Sequence, residues 1–292
     1  MLRPTMDRPR TVAPDVEMFP ARTPTLPPAT HTNSYALGSR EVLLVEPATP
    51  YDDERAEWLA WARGIASQGR RIVAILITHH HPDHVGGAAF LSRELDVPVW
   101  AHQRTIERLA ENGAPAGAEK LTFLRRIEDG AVMEVEGPTP RRWRALHTPG
   151  HAPGHLCLFD EGTKTLIAGD MVASQGTILI EPRDGDMAEY LAQLGRLSDL
   201  GAATACPAHG EPIVEPTRLF QHYIAHRLAR EAKVVAALQA SAGPSSIEAL
   251  VPTVYADTPP VLWGLAARSL EAHLIKLERD GRAMRVAAMW SA

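Results

Sequence analysis

Apolar positions along the chain switch between two periods. Ser34 to Val45 reads as two short strands around a turn at Gly38-Ser39-Arg40, closing on the apolar run Val42-Leu43-Leu44-Val45. Between Tyr51 and Ser67, the residues Trp58, Leu59, Trp61 and Ile65 recur at helical spacing, with Asp52 and Asp53 at the positive end of the helix dipole. Arg71–Ile77 is a short β-branched run followed abruptly by polar residues, the pattern of a buried strand. The pattern then predicts a helix over about Val85–Leu95, a strand over Val97–Ala101 and a helix over about Arg104–Asn112. Further strands are expected at 131–135, 143–147, 155–159 and 165–168, then an amphipathic helix at 187–200 and a strand at 202–206. Alternation comes first, consecutive strands follow, and helices return. That order predicts an α/β protein with two sheets and helices outside them, rather than one doubly wound sheet.

The two ends differ from this body. Seven prolines crowd the first 28 residues, and each biases its own and the preceding residue away from helix. Residues 1–30 are therefore expected to be an extended Pro-rich arm outside the core. Residues 31–222 form the main domain on this reading. Beyond it, helices at 220–240, 246–255 and 260–280, a Gly281 cap and a short hairpin at 282–290 predict a small helical, winged-helix-like unit over 223–292.

Composition narrows the class. With 45% hydrophobic and 22% charged residues the 292-residue chain is built to fold, and two cysteines permit neither a disulfide framework nor an all-cysteine metal site. A net charge of -5 argues against a protein made mainly to neutralise phosphate backbone. No apolar run approaches the ~18–20 residues that span a bilayer, and the charged start lacks the apolar core of a secretory signal. A cytoplasmic protein with no membrane partner is expected.

The 13 histidines are unevenly spread. The buried strand at 72–77 runs straight into Thr78-His79-His80-His81-Pro82-Asp83-His84. Alternate residues of an extended segment point the same way, so His79 and His81 can reach one metal while Asp83 and His84 turn toward another. A solvated or tag-like run is the plain alternative, which the internal position and the intervening Asp argue against. Three more fragments end strands in polar groups: His147-Thr148-Pro149-Gly150-His151 with His155 beyond it, Gly169-Asp170, and His209-Gly210.

Taken together, His79-x-His81-x-Asp83-His84, Thr148-Pro-Gly-His151, Gly169-Asp170 and His209-Gly210 resemble the successive metal motifs of the metallo-β-lactamase superfamily, over about residues 30–215. The resemblance implies an αββα sandwich with a dinuclear site. It implies that His79, His81 and His151 hold one metal, that Asp83, His84 and His209 hold the other, and that Asp170 bridges them. His80 and His155 match no ligand position and are assigned to hydrogen bonding behind the ligands or to proton donation. The tail, with His226-Arg-x-x-Arg-Glu231, Leu250-Val-x-x-Val-Tyr255 and Ala272-His-Leu-x-Lys-Leu-Glu278, resembles the winged-helix-like region of the beta-lactamase-like protein 2 group. One departure is visible. Where that group carries an Asp-Thr-Gly-like turn, this chain has Val45-Glu-Pro-Ala48, a place expected to touch no ligand.

Mixed imidazole and carboxylate ligands suit two Zn²⁺, with Fe or Mn admissible. A bridging hydroxide would then attack a carbonyl or phosphoryl centre, with Asp83 and Asp170 in catalytic roles. A phosphodiester in single-stranded RNA ranks just ahead of a thioester as substrate, because the group that the tail resembles includes an endoribonuclease acting on single-stranded RNA; a ribose alkoxide needs a proton donor or a metal, and His155 is a candidate general acid. Arg227, Arg230 and Lys233 share one helix face and are candidate grips for a substrate carboxylate, and Tyr190 is a candidate substrate contact. A metal-sensing winged-helix regulator is the reading from another class, and a second copy of the chain is an admitted partner.

Overall fold

Residues 7–111 and 123–292 are described by the computed structural model, and they fall into two units. The first unit takes in the chain up to Thr148, then Gly154–Gly176 and Gly201–Pro216. Its first sheet runs in sequence order through β1 (Arg10–Ala13), β2 (Val16–Arg22), β3 (His31–Leu37), β4 (Glu41–Val45), β5 (Arg71–Leu76), β6 (Val99–Ala101) and β7 (Phe123–Arg126). It is antiparallel as far as β4 and parallel beyond. The second sheet has the order β13-β12-β11-β10-β9-β8, from β8 (Val132–Val135), β9 (Arg141–His147), β10 (Leu156–Asp160), β11 (Thr165–Gly169), β12 (Thr204–Pro207) and β13 (Ile213–Val214).

Strand β4 shows why the sheets stack. All five of its residues are buried, and they alternate between two faces. Leu43 and Val45 join Val16, Met18, Leu37 and Leu76 against Met133, Trp143, Leu158 and Ile167 of the second sheet. Val42 and Leu44 face the other way and pack with Phe19 and Ile75 onto Trp58, Trp61 and Ile65 of α1 (Asp52–Ser67). Leu91 of α3 (Ala88–Leu95) completes that layer. The two expected sheets, with helices on the outer face of the first, are therefore present.

Three expectations need correcting. Residues 10–22 are not an arm but two strands of the first sheet, with Val16, Met18, Phe19 and Ala21 buried. The prolines fit because none breaks a ladder. Pro20 turns its carbonyl away from β3, toward Arg8 Nη1 at 2.7 Å, so its missing N–H lies on the edge that the short β1 leaves uncovered. Second, the helix expected at 85–95 is two helices, α2 (Pro82–Val85) and α3, interrupted at Gly86-Gly87. A Cβ at either glycine would lie within 3.0 Å of the 47–50 backbone, so the chain passes there at its closest. Third, β7 and β13 carry no clear sequence period and were not foreseen. The expected end of the next helix at Asn112, and the first six residues, lie outside the described residues; α4 is described over Gln103–Glu111.

The second unit comprises Pro149–Pro153, Thr177–Leu200 and Thr217–Ala292. It contains α5 (Met187–Ser198), α6 (Thr217–Ala240), α7 (Ile247–Val254), α8 (Trp263–Arg279) and the hairpin β14 (Met284–Val286)–β15 (Met289–Ser291). The position taken as the end of the main domain, residue 222, falls inside α6, which starts at Thr217. Asp186 caps α5, its side chain accepting from the amides of Ala188 and Glu189. Val234, Leu238, Val254, Leu270, Leu274 and Leu277 form a three-helix core closed by Trp290, whose backbone pairs in both directions with Ser245. Among the described residues no helix is long and apolar enough to cross a membrane.

His273 of α8 lies inside this unit, fully buried, with neither ring nitrogen hydrogen-bonded among the described residues. Burial first, then Arg227, Arg230 and His226 of α6 and Lys276 of α8, push its pKa down to about 3. The unfolded chain regains an ordinary imidazole near 6.5 and binds a proton that the native state refuses. Stability should therefore be flat above about pH 7 and fall as pH drops toward 3, this residue accounting for roughly 2 kcal/mol between about pH 8 and 5. Urea titrations of the full chain at the two pH values, compared with His273→Phe, check this; an unchanged pH dependence in the variant would refute it.

Candidate metal centre

The polar run after β5 is held in place by its neighbours on both sides. Ile77 N–H donates to Trp100 O at 2.9 Å, Leu156 N–H to Thr78 O at 3.0 Å, and Thr78 N–H to Glu46 Oε1 at 3.2 Å. Pro82 opens α2 at a first-turn position, where a missing N–H costs nothing, and the turn carries Asp83 and His84 on the helix that follows, with the His84 ring centroid 4.0 Å from that of His79. Asp170 follows β11 and His209 follows β12. The segment bearing His209 is tied to the opposite sheet: Asn33 Nδ2 donates to Pro207 O at 2.9 Å and Gly210 O at 2.8 Å, and Tyr35 Oη to Pro207 O at 2.6 Å.

Six of the seven expected ligands lie in the first unit, and the fold brings them together. His79 Nε2 is 2.9 Å from His81 Nδ1. His84 Nε2 lies 3.6 Å from Asp170 Oδ2 and 3.8 Å from Asp83 Oδ2, while His209 Nε2 lies 3.3 Å from Asp170 Oδ1 and 3.6 Å from Asp83 Oδ2. The donor atoms of His79, His84 and Asp170 fall within 4.8 Å of one another, as do those of Asp83, His84 and His209. Most of these separations exceed a good hydrogen bond. They match the ~3.4 Å between two ligands each about 2.1 Å from a shared tetrahedral cation. The seventh, His151, belongs to the second unit.

Ring orientation supports the same fit. A histidine offers a lone pair at one nitrogen only if the other holds the proton. His209 Nδ1 donates to His31 O at 3.0 Å, and His151 Nδ1 donates to Leu179 O at 2.9 Å. His84 Nδ1 faces Glu46 Oε2 at 3.1 Å. In the neutral ring, the form that a metal takes, Nε2 of His209 and of His151 keeps its lone pair, and Glu46 lies on the Nδ1 side of His84. Nitrogen and carboxylate donors of this kind fit a divalent transition metal.

Glu46 is the residue that sequence reading missed. The Val45-Glu-Pro-Ala48 departure was expected to touch no ligand, yet the 99%-buried Glu46 links His84 to the Thr78 amide. Its backbone φ of 62° turns the chain so that Pro47 O meets Gly87 N–H at 2.8 Å, which fixes the base of α2. The signal available was a carboxylate at the end of a buried strand, the same signature as Asp170. The carboxylates favour positive charge here. Burial opposes protonation of His84, but Glu46, Asp170 and Asp83 outweigh it and raise its pKa well above the ordinary value. His209 is raised in the same way, burial opposing and Asp170 prevailing. Asp170 is pushed up by burial, yet His209 and His84 hold it well below the usual carboxylate range.

Four expected substrate-side roles change. His155 is fully buried, its Nε2 accepting from Asp170 N–H at 2.9 Å and its Nδ1 donating to Thr148 Oγ1 at 2.8 Å. Thr148 Oγ1 lies 3.4 Å from Cys157 Sγ, which donates to Ala168 O at 3.3 Å. With both nitrogens committed, His155 positions Asp170 and is not a proton donor to substrate. A Cβ on Gly169, at φ 50°, would lie 2.4 Å from His155 Nε2, so only glycine admits this contact. Arg227 is buried on Thr177 Oγ1 and Ile178 O; Arg230 bonds Val254 O and Asp257, and Lys233 the same Asp257. Arg227 and Arg230 point inward and are spent on these partners, whereas Lys233 stays at the surface with Asp257. Tyr190 is fully buried, its backbone packed on Gly150. His80, 8% exposed, has its ring centroid 6.5 Å from that of His79 and is buried rather than solvated.

The profile of the family described as the metallo-beta-lactamase superfamily matches residues 27–209, and that of the beta-lactamase associated winged helix domain matches residues 246–290. Among curated proteins the chain is 31% identical to the Beta-lactamase-like protein 2 homolog of Drosophila melanogaster, across 86% of this chain and 83% of that one. It is 32% identical to the Atrochrysone carboxyl ACP thioesterase of Aspergillus chevalieri, across 78% and 69%. Among solved structures, a metallo-beta-lactamase family protein of Thermus thermophilus superposes with a TM-score of 0.77 at 27% identity, covering 95% of this chain and 98% of that one.

Glu46→Gln keeps the shape of the side chain and removes its charge. It is expected to weaken metal retention by roughly 10–100-fold with little change in Tm. Chelator competition followed by metal analysis measures this, and unaltered retention would remove Glu46 from the centre.

Proposed function

Because the chain belongs to the metallo-β-lactamase superfamily of hydrolases, we propose that it is a dinuclear metal enzyme that hydrolyses an acyl thioester. His79, His81 and His151 are assigned to one ion, the last by the Thr148-Pro-Gly-His151 motif, and Asp83, His84 and His209 to the other. Asp170 bridges. Zn²⁺ is the first choice of metal, with Fe or Mn admissible. Such a pair supplies a hydroxide near neutral pH and positive charge for a developing oxyanion. The chain's own groups do the rest: Asp83 orients the attacking water, and His155 holds the Asp170 backbone through its amide.

The observation that carries the choice of bond is the state of His155. An alkoxide leaving group needs a proton or a metal to carry its charge, and the residue expected to give the proton has both nitrogens hydrogen-bonded. A thiolate leaves unprotonated. Similarity to a protein named as an acyl carrier protein thioesterase supports the same bond.

Single-stranded RNA, ranked first on sequence, becomes the second reading, favoured by the winged-helix match at residues 246–290. Against it, each cation of α8 meets an acid: Arg268 with Glu181 at 3.2 Å, Lys276 with Glu231 at 2.9 Å, and Arg279 with Asp186. Cations neutralised in this way add little to phosphate binding. The same pairing disfavours a DNA-binding regulator.

The test is one purified sample assayed against an acyl thioester, bis-p-nitrophenyl phosphate and a single-stranded RNA, with its metal content measured. Thioester turnover with about two ions per chain is expected. RNA cleavage without thioester turnover would overturn the substrate, and absence of stoichiometric metal would overturn the centre. Asp170→Ala and His81→Ala should abolish both turnover and metal retention, whereas His80→Ala should alter either by much less.

A further inference from the structure

We infer that Arg227 on α6 is a positioning residue for His151, acting through the backbone of residues 177–179; this rests on the assignment of His151 as a ligand. Three contacts within the second unit connect them. His151 Nδ1 donates to Leu179 O at 2.9 Å, which sets the tautomer and the ring plane. Leu179 belongs to a segment, residues 177–180, that lies outside any helix or strand, so no ladder fixes its carbonyl. Arg227 supplies the missing anchor. Its Nη2 donates to Thr177 Oγ1 at 2.9 Å and to Ile178 O, and its Nη1 lies 3.4 Å from Ser269 Oγ on α8.

The cost of this arrangement points to a purpose beyond packing. Arg227 is 4% exposed. Its named partners are hydroxyls and a carbonyl, whereas Arg230, one turn on, is paired with Asp257. Burying a guanidinium on neutral partners is expensive, and an apolar side chain would fill the same space more cheaply. What an apolar side chain cannot do is donate from one Nη2 to two consecutive residues while the other Nη faces Ser269. The Tyr190 ring, 5.7 Å from Arg227 Cζ, continues the support. The backbone of Tyr190 packs so tightly on Gly150 that a Cβ there would lie 2.3 Å from Tyr190 N, and Asp186 N–H donates to Gly150 O at 2.8 Å. The loop carrying His151 is thus pinned at Gly150 by the start of α5 and at His151 by Leu179, with Arg227 behind the second pin.

The experiment compares Arg227→Met, Arg227→Lys and Thr177→Val in the full chain with His151→Ala. Metal content, chelator competition and, in metal-stripped protein, the ¹⁵N shifts of the His151 ring are read for each. Arg227→Met should lower affinity for one of the two ions by roughly 10–100-fold and shift His151 from a single Nδ1–H tautomer to a mixture. Arg227→Lys should recover part of both, since it keeps a charged donor group but not the guanidinium's shape and reach, and Thr177→Val should move both in the same direction by less. Retention of two ions by His151→Ala would sink the ligand assignment. Loss of one ion in His151→Ala, with unchanged affinity and tautomer in the Arg227 and Thr177 variants, would sink the role of Arg227 alone. Should Arg227→Met fail to fold, the other two variants decide the matter on the same readouts.

Discussion

An imidazole can hold a cation only through a nitrogen whose partner nitrogen keeps its proton, and this fold meets that condition with three unlike acceptors. A strand-end carbonyl accepts from His209, a carbonyl in an irregular segment accepts from His151, and a buried carboxylate faces the ring of His84. Each of these oxygens comes from a different part of the chain. The surroundings are costly. Glu46 and Asp170 are buried carboxylates, stable only beside the positive charge that the imidazoles or a cation provide.

The sequence made the centre legible because chemistry concentrated at strand ends is rare by chance. Six of the expected ligands, scattered from His79 to His209, do converge. What it hid falls under three physical causes. Prolines signal breaks, yet Pro20 sits where β1 has already ended, and the edge of a sheet tolerates what its centre cannot. Helical spacing puts Arg227, Arg230 and Lys233 near one face but is silent on which of them look in or out; here Arg227 and Arg230 look in and Lys233 looks out. Glu46 was read as part of a turn because its distance from His84 along the chain conceals their contact in space.

The second unit uses charge inwardly as well. Glu231 takes both Lys276 and Arg282, Asp257 takes Arg230 and Lys233, and Asp186 serves α5 as a cap while meeting Arg279. In that region Arg268, Lys276, Arg279 and Arg282 each meet an acid. His273, silent and uncharged among those cations, belongs to the same economy.

The hydrogen bonds that leave Asp170 do not lead outward. From its amide they pass through His155, Thr148 and Cys157 and return to the carbonyl of Ala168, on the same strand. Such a ring has one polarity, because it begins at an amide that cannot give up its proton and ends at an oxygen that has none to give. No hopping path runs through it. On this side of the centre, the four groups hold Asp170 in place rather than relay its protons.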